Sequence, residues 1–192
     1  DFDSANVFAF LQKYGLEKEF KLNIEQNHAI LAKHSFEHEI AYALSNNILG
    51  SIDINRGDYL VGWDTDQFPN NVEELVLPFY YIFKNGGFSS GGLNMDAKIR
   101  RQSIDPEDLF YAHIGSMDTC ARTLIAVEKM INDGSYETFL KQRYESWNEN
   151  SELMNKLSLE DIHNKVIKEN INPDPKSGRQ EYLENLINSF VE

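Results

Sequence analysis

Phe20-Lys21-Leu22-Asn23-Ile24-Glu25 alternates apolar and polar residues and closes on a carboxylate, the period of a half-buried β-strand. Ile48-Leu49-Gly50-Ser51-Ile52-Asp53 follows the same plan, and Gly92-Leu93-Asn94-Met95-Asp96-Ala97 reads as a third strand that carries Asp96 near its end. Between the first two, Ser35 to Asn46 reads as a helix with Ile40, Ala41 and Leu44 on one face. Between the second and third comes a polar loop from Asn55 to Asn70, then a helix from about Asn71 to Lys84, ended by Asn85-Gly86-Gly87. Pro78 falls inside that helix and removes a backbone donor, which predicts a kink. Strands joined by helices in this way run parallel under a helical cover, so the fold class is α/β. Three strands are too few for a complete α/β domain. In a closed eight-stranded βα barrel, functional groups stand at the C-terminal ends of strands, and that is where Glu25, Asp53 and Asp96 lie.

Outward from these units the pattern is helical. Ser4 is placed to cap a helix through Val7, Phe8, Phe10 and Leu11 to Tyr14, with Gly15 as its stop. Asp105-Pro106-Glu107-Asp108 is a helix start, with Pro at the first helical position and acids in the first turn. A long helix is predicted from there to Asn132, with a break expected near Gly115, and another from Tyr136 to about Trp147. The expected division is residues 1–147 as βα units and residues 148–192 as a polar, mostly helical C-terminal arm. That arm holds a capped helix start at Ser158-Leu159-Glu160-Asp161, a stiff Asn172-Pro173-Asp174-Pro175 break and a final helix from Gln180 to Phe190.

The 192-residue chain has a formal net charge of −13, which excludes the basic stripe that nucleic-acid binding requires. Its longest apolar stretch, Leu75 to Phe83, is too short to span a bilayer, so no membrane partner is expected. The first residues lack the plan of a signal peptide, and a lone cysteine, Cys120, suits a reducing compartment such as the cytoplasm. The absence of an initiator Met suggests a piece of something longer.

Glu25, His28, Asp53, Asp64, Asp66 and Asp96 gather near the strand ends. Each has a plain structural reading: Asp53 and Asp96 as turn caps, Asp64-Thr65-Asp66 as a loop. Their joint placement weighs against it, because converging carboxylates repel unless protonated or bridged by cations. Five carboxylates and one imidazole suit a hard or borderline divalent ion, Mg²⁺, Mn²⁺ or Co²⁺. Six donors exceed what one ion takes while keeping room for water and substrate, so two ions sharing a carboxylate is the economical arrangement. Phe68 and Pro69 break a calcium loop at Asp64-x-Asp66, and Gly86-Gly87 and Gly91-Gly92 lack the ending of a phosphate-binding loop. His34-Ser35-Phe36-Glu37-His38 matches the H-x-x-E-H pattern of inverted zinc peptidases. Five loosely specified positions recur by chance, so His34 and His38 read as ordinary residues of a helix start. Cys120 reads as core, and His113 and His163 take no role.

Lys21-Leu22-Asn23-Ile24-Glu25-Gln26-Asn27-His28-Ala29 resembles the corresponding stretch of class II xylose isomerases. So do Gly50-Ser51-Ile52-Asp53-Ile54-Asn55-Arg56-Gly57-Asp58, Gly62-Trp63-Asp64-Thr65-Asp66-Gln67-Phe68-Pro69, Gly91-Gly92-Leu93-Asn94-Met95-Asp96-Ala97-Lys98-Ile99-Arg100-Arg101 and Ser177-Gly178-Arg179-Gln180-Glu181-Tyr182-Leu183. The resemblance implies the last three βα units of a (β/α)₈ barrel, with the arm embracing a neighbouring subunit. It implies that Glu25 bridges two metals, that Asp53 and Asp96 hold the first, and that His28, Asp64 and Asp66 hold the second. The implied reaction is aldose–ketose isomerisation of D-xylose to D-xylulose by a hydride shift, with xylose or glucose as the sugar. The family's ring-opening His–Asp pair, its Glu-Pro-Lys-Pro strand and its substrate-packing aromatics have no counterpart here, so no catalytic residue is assigned. The expectation is a chain that holds metal ligands but is inactive alone. Open strand edges should drive it to pair with the other part of the barrel or with copies of itself. The competing expectation is a non-catalytic metal-binding or self-assembly module.

Overall fold

The computed structural model describes residues 2–149 and 155–191; residues 150–154 and 192 of the expected arm, and residue 1, lie outside the described residues. The chain divides into two compact units, residues 1–129 and, from Met130, residues 130–190.

In the first unit, helix α1 (Ser4–Tyr14) is capped by Asp3, whose Oδ1 accepts from the Asn6 backbone N–H at 2.7 Å. Ser4, expected as the cap, is instead the first helical residue and donates its N–H to Glu39 Oε2 at 2.7 Å. An ionised Asp is a stronger acceptor than a hydroxyl for the orphan N–H groups of a first turn. Gly15 closes the helix in the left-handed region, at φ 67°, where a glycine has no Cβ to strain.

Strand β1 (Leu22–Glu25) pairs in parallel with β2 (Leu49–Asp53), and Glu25 lies opposite Asp53. β2 pairs in parallel with β3 (Leu93–Asn94), with Asn94 opposite Asp53. The sheet order is β1-β2-β3, so β2 is central and its residue Ile52 is fully buried, as is Ile54 just beyond it. Helix α3 (Phe36–Ser45) starts at Ser35, whose Oγ accepts from the His38 N–H. α3 packs on α4 (Glu73–Lys84), which continues through a buried Pro78. Ile40 and Ala43 of α3 and Leu75, Val76, Phe79 and Ile82 of α4 are buried. Each of these side chains larger than alanine contributes roughly 1.5–3 kcal/mol of transfer free energy, as an upper bound.

The structure differs from the sequence reading in three elements. The chain enters helix α2 (Gln26–Leu31) directly after Glu25, and this turn carries His28 back over the strand end. β3 is two residues long rather than six, because its ladder to β2 closes with the Ile54 N–H on Asn94 O at 2.8 Å. Helix α5 (Glu107–Asp133) runs unbroken through Gly115. One interior glycine costs about 1 kcal/mol, which a helix of 27 residues absorbs. The loop from Asn55 to Asn70 is tied by an antiparallel bridge between Arg56 and Gln67, and Gln67 bridges onward to Lys98.

The second unit holds α6 (Ser135–Glu149), α7 (Leu159–Lys168) and α8 (Gln180–Val191). α7 opens with a reciprocal capping box between Ser158 and Asp161. Neither α7 nor α8 has a buried residue. Among the described residues no helix is long and apolar enough to cross a membrane.

Candidate metal centre

Parallel pairing puts Glu25 and Asp53 side by side at the strand ends, and Asp96 follows two residues after β3. Glu25, Asp53 and Asp96 each offer one oxygen within 4.8 Å of the others, and so do Glu25, His28 and Asp64 with one ligand atom apiece. Glu25 is common to both trios. His28 Nε2 stands 3.3 Å from Glu25 Oε2 and 3.5 Å from Asp64 Oδ2. Five of the six expected residues are therefore brought together. Asp66 is in neither trio: its Oδ2 is held by Lys98 Nζ at 2.6 Å, so an ammonium occupies the carboxylate that was expected to face a metal.

The two trios differ in solvation. The Glu25 side chain is 14% exposed and Asp53 is 9% exposed, whereas the side chains of His28 and Asp64 are about half exposed at 53% and 46%. Burial pushes the Glu25 carboxyl up; the Asn55 hydrogen bond and His28 oppose this, while Asp64 and Asp66 add to it. Asp64 is raised chiefly by its hydrogen bond with Asp66, and then by burial. Asp66 moves the other way. Burial works against its ionisation, but hydrogen bonds from Asp64, Lys98 and Asn27 outweigh it and bring it down to about 2. The two aspartates thus behave as a pair whose shared hydrogen bond favours ionisation of Asp66 over that of Asp64.

Four asparagines hold the acids in place. Asn23 Nδ2 donates to Asp53 Oδ2 at 2.6 Å and Asn94 Nδ2 to Asp53 Oδ1 at 3.1 Å. Asn55 Nδ2 reaches Glu25 Oε1 and the Asp96 carbonyl, both at 2.7 Å. Asn27 Nδ2 donates to Asp64 Oδ1 and, at 3.2 Å, to Asp66 Oδ1. Its backbone N–H meets Asn55 Oδ1 at 3.1 Å, which locks the two amides together. The sequence reading assigned none of these asparagines, nor Lys98. A signal was there: Asn23 precedes Glu25 by two and Asn94 precedes Asp96 by two, the same-face period of a strand.

Among the residues set aside, Cys120 is buried, which pushes its thiol up, and it reads as core. His113 packs edge-on against Phe68 at 4.6 Å between ring centroids.

Replacing Lys98 by Met should return the Asp66 carboxyl from about 2 toward the ordinary aspartate range, as read by carbon-detected NMR across a pH series. A depressed folded-state pKa contributes stability above the unfolded value that is lost as pH falls through the folded one. In the variant that contribution should shrink, and with it the loss of stability on acidification below the ordinary aspartate range. An Asp66 that stays near 2 would assign its support to Asp64 and Asn27 instead.

Comparison with known proteins bears on the whole chain. A family model described as the XylA2 C-terminal domain matches residues 140–191. A xylose isomerase of Ruegeria sp. (strain TM1040) is 59% identical over 194 aligned residues, one of Cereibacter sphaeroides (strain KD131) 60% over 192, and one of Agrobacterium fabrum 57% over 194. Each alignment covers 100% of this chain and 44% of the relative. The chain is thus homologous along its full length to the C-terminal part of xylose isomerases and spans less than half the length of the curated relatives it matches. The resemblance carried by the strand motifs is borne out.

Proposed function

We propose that this chain, a C-terminal portion of a xylose isomerase, supplies both divalent-cation sites of the whole enzyme and has no isomerase activity by itself. The observation that carries the reading is the pair of trios sharing Glu25. In this reading Glu25, Asp53 and Asp96 hold one ion and Glu25, His28 and Asp64 the other, which Asp66 joins when its Oδ2 exchanges the Lys98 ammonium for the cation. The donor set fits such ions: carboxylate oxygens with one imidazole suit Mg²⁺, Mn²⁺ or Co²⁺, and a buried Glu25 beside further acids needs positive charge to stay ionised.

When bound, the ions supply Lewis-acid polarisation of the sugar's oxygens during a hydride shift from D-xylose to D-xylulose. The chain's residues prepare that site. Asn55 fixes Glu25 Oε1 while leaving Oε2 turned to His28, and Asn23 and Asn94 orient both oxygens of Asp53. Asn27 ties Asp64 to Asp66. Second-sphere hydrogen bonds of this kind typically change metal affinity by about 10–100-fold. The sheet with its covering helices is in this reading the last three βα units of a (β/α)₈ barrel, and the helices after residue 147 form an arm for subunit contacts. The open edges of β1 and β3 favour assembly with the remaining barrel or with further copies. A cytoplasmic location goes with the family chemistry.

The test measures xylulose formation with Mn²⁺ by the 192-residue chain alone, and by the chain co-purified with the N-terminal portion of the Ruegeria relative. Turnover is expected only in the second case, with calorimetric Mn²⁺ binding in both. Xylulose from the isolated chain would refute the claim that it is inactive alone. Absence of Mn²⁺ binding in both preparations would remove the metal reading altogether.

A further inference from the structure

A second cluster of ligating groups lies outside the strand ends. His34, His38 and Glu39 each offer one ligand atom within 4.8 Å of the others, and the His34 and His38 rings are 4.8 Å apart between centroids. The glutamate of the H-x-x-E-H pattern, Glu37, is not the partner; Glu39 is. Glu39 is 3% exposed and its two oxygens do different things. Oε2 accepts the Ser4 N–H at 2.7 Å, and Oε1 lies 2.6 Å from His34 Nδ1. Asp3 approaches the same ring, with Oδ2 3.9 Å from His34 Nδ1 while Oδ1 caps α1.

The side chains of Asp3 and Glu39 are therefore nearly closed to solvent, at 8% and 4% exposure, and both face one imidazole. Hydrogen bonds from Asn6 already support the ionised Asp3 and hold it below the usual carboxylate range, and two carboxylates facing one ring draw a cation between them. A protonated His34 balances one of them, whereas a divalent cation balances both. The His38 ring is exposed, and among the described residues no hydrogen bond engages it, so it is free to turn toward an ion. Two imidazoles and one carboxylate gather here, with Asp3 beside His34 as a fourth candidate donor, and that chemistry selects Zn²⁺ or Co²⁺ over the Mg²⁺ favoured by an all-oxygen site. It shares no residue with the strand-end trios.

We propose that His34, His38 and Glu39, completed by Asp3, form a structural site for a zinc-like cation that clamps the start of α1 to the start of α3. The site does not depend on the isomerase reading. The test uses the full chain with Glu25→Gln, which removes the residue common to both strand-end trios. Bound zinc is counted by equilibrium dialysis and metal analysis, and four-coordinate Co²⁺ is identified by its intense visible absorption. One Zn²⁺ per chain should remain, and Zn²⁺ should raise the melting temperature. Adding His38→Gln, a change at an exposed ring, should weaken binding at least tenfold and abolish the thermal shift without changing the far-ultraviolet circular dichroism. His163→Gln, a surface control, should change neither. Zinc retained undiminished after His38→Gln, lost wholly with Glu25→Gln, or weakened equally by His163→Gln would overturn the proposal.

Discussion

Glu25→Gln should abolish divalent-cation binding at the strand ends while leaving the metal-free chain at least as stable as the parent at pH 7. The two effects have one origin. Glu25 is pushed up chiefly by burial, with added repulsion from Asp64 and Asp66, and Asn55 and His28 compensate only in part. For a carboxyl whose folded-state pKa is raised, the stabilising contribution is complete below the unfolded value and is lost as pH rises through the folded one. Ionisation of Glu25 in the fold therefore works against stability. Glutamine keeps an oxygen to accept from Asn55, carries no charge and can donate to its acidic neighbours. The cations lose most, since Glu25 is the one donor present in both trios. Urea unfolding in chelator and Mn²⁺ calorimetry measure the two halves separately. A variant that binds Mn²⁺ as the parent does would sink the shared role of Glu25. A variant that is markedly less stable without metal would show that its charge is better compensated than its burial implies.

What the sequence made legible is what local chemistry decides. Strands ending on Glu25 and Asp53, the Gly15 stop and the Ser158 cap each follow from a short pattern whose physics is contained in that pattern. What it hid depends on contacts across the fold. Asp3 takes the cap position one residue earlier, where Glu39, 35 residues from Ser4, accepts the N–H of the first helical residue. Asp66 is diverted from the trios by Lys98, 32 residues on. β3 is short because its partner β2 ends at Asp53 and the chain beyond Asn94 turns to meet Gln67 at Lys98. The six acidic and imidazole candidates were picked from residue type and position near the strand ends, and the fold brings five of them together. The asparagines that aim them were passed over, since an uncharged amide beside a carboxylate carries no strong signal until the fold shows where its N–H points.

Gly91→Ala should destabilise the chain by about 3 kcal/mol and pull Asp96 away from its trio, whereas Gly92→Ala next door should change stability by less than about 0.5 kcal/mol. A Cβ at Gly91 would land on the Gly50 carbonyl, far inside contact distance, with Ser51 Cβ at 3.1 Å as well, and a backbone carbonyl in the sheet has little room to move aside. A Cβ at Gly92 meets nothing within 4 Å. Relief of the clash means parting β3 from β2, which loses the Ile52 N–H to Gly92 O bond at 3.0 Å and the Ile54 N–H to Asn94 O bond at 2.8 Å. Each is worth about 1 kcal/mol net, and the remaining overpacking adds about as much. Asn94 then no longer reaches Asp53 Oδ1, and Asp96, which follows it, leaves the neighbourhood of Glu25. Hydrogen exchange localises the effect: the Ile52 and Ile54 amides should lose protection in Gly91→Ala and keep it in Gly92→Ala. Equal stability in the two variants would mean that β3 accommodates a methyl group there without leaving β2, and that its close approach at Gly91 does not set the position of Asp96.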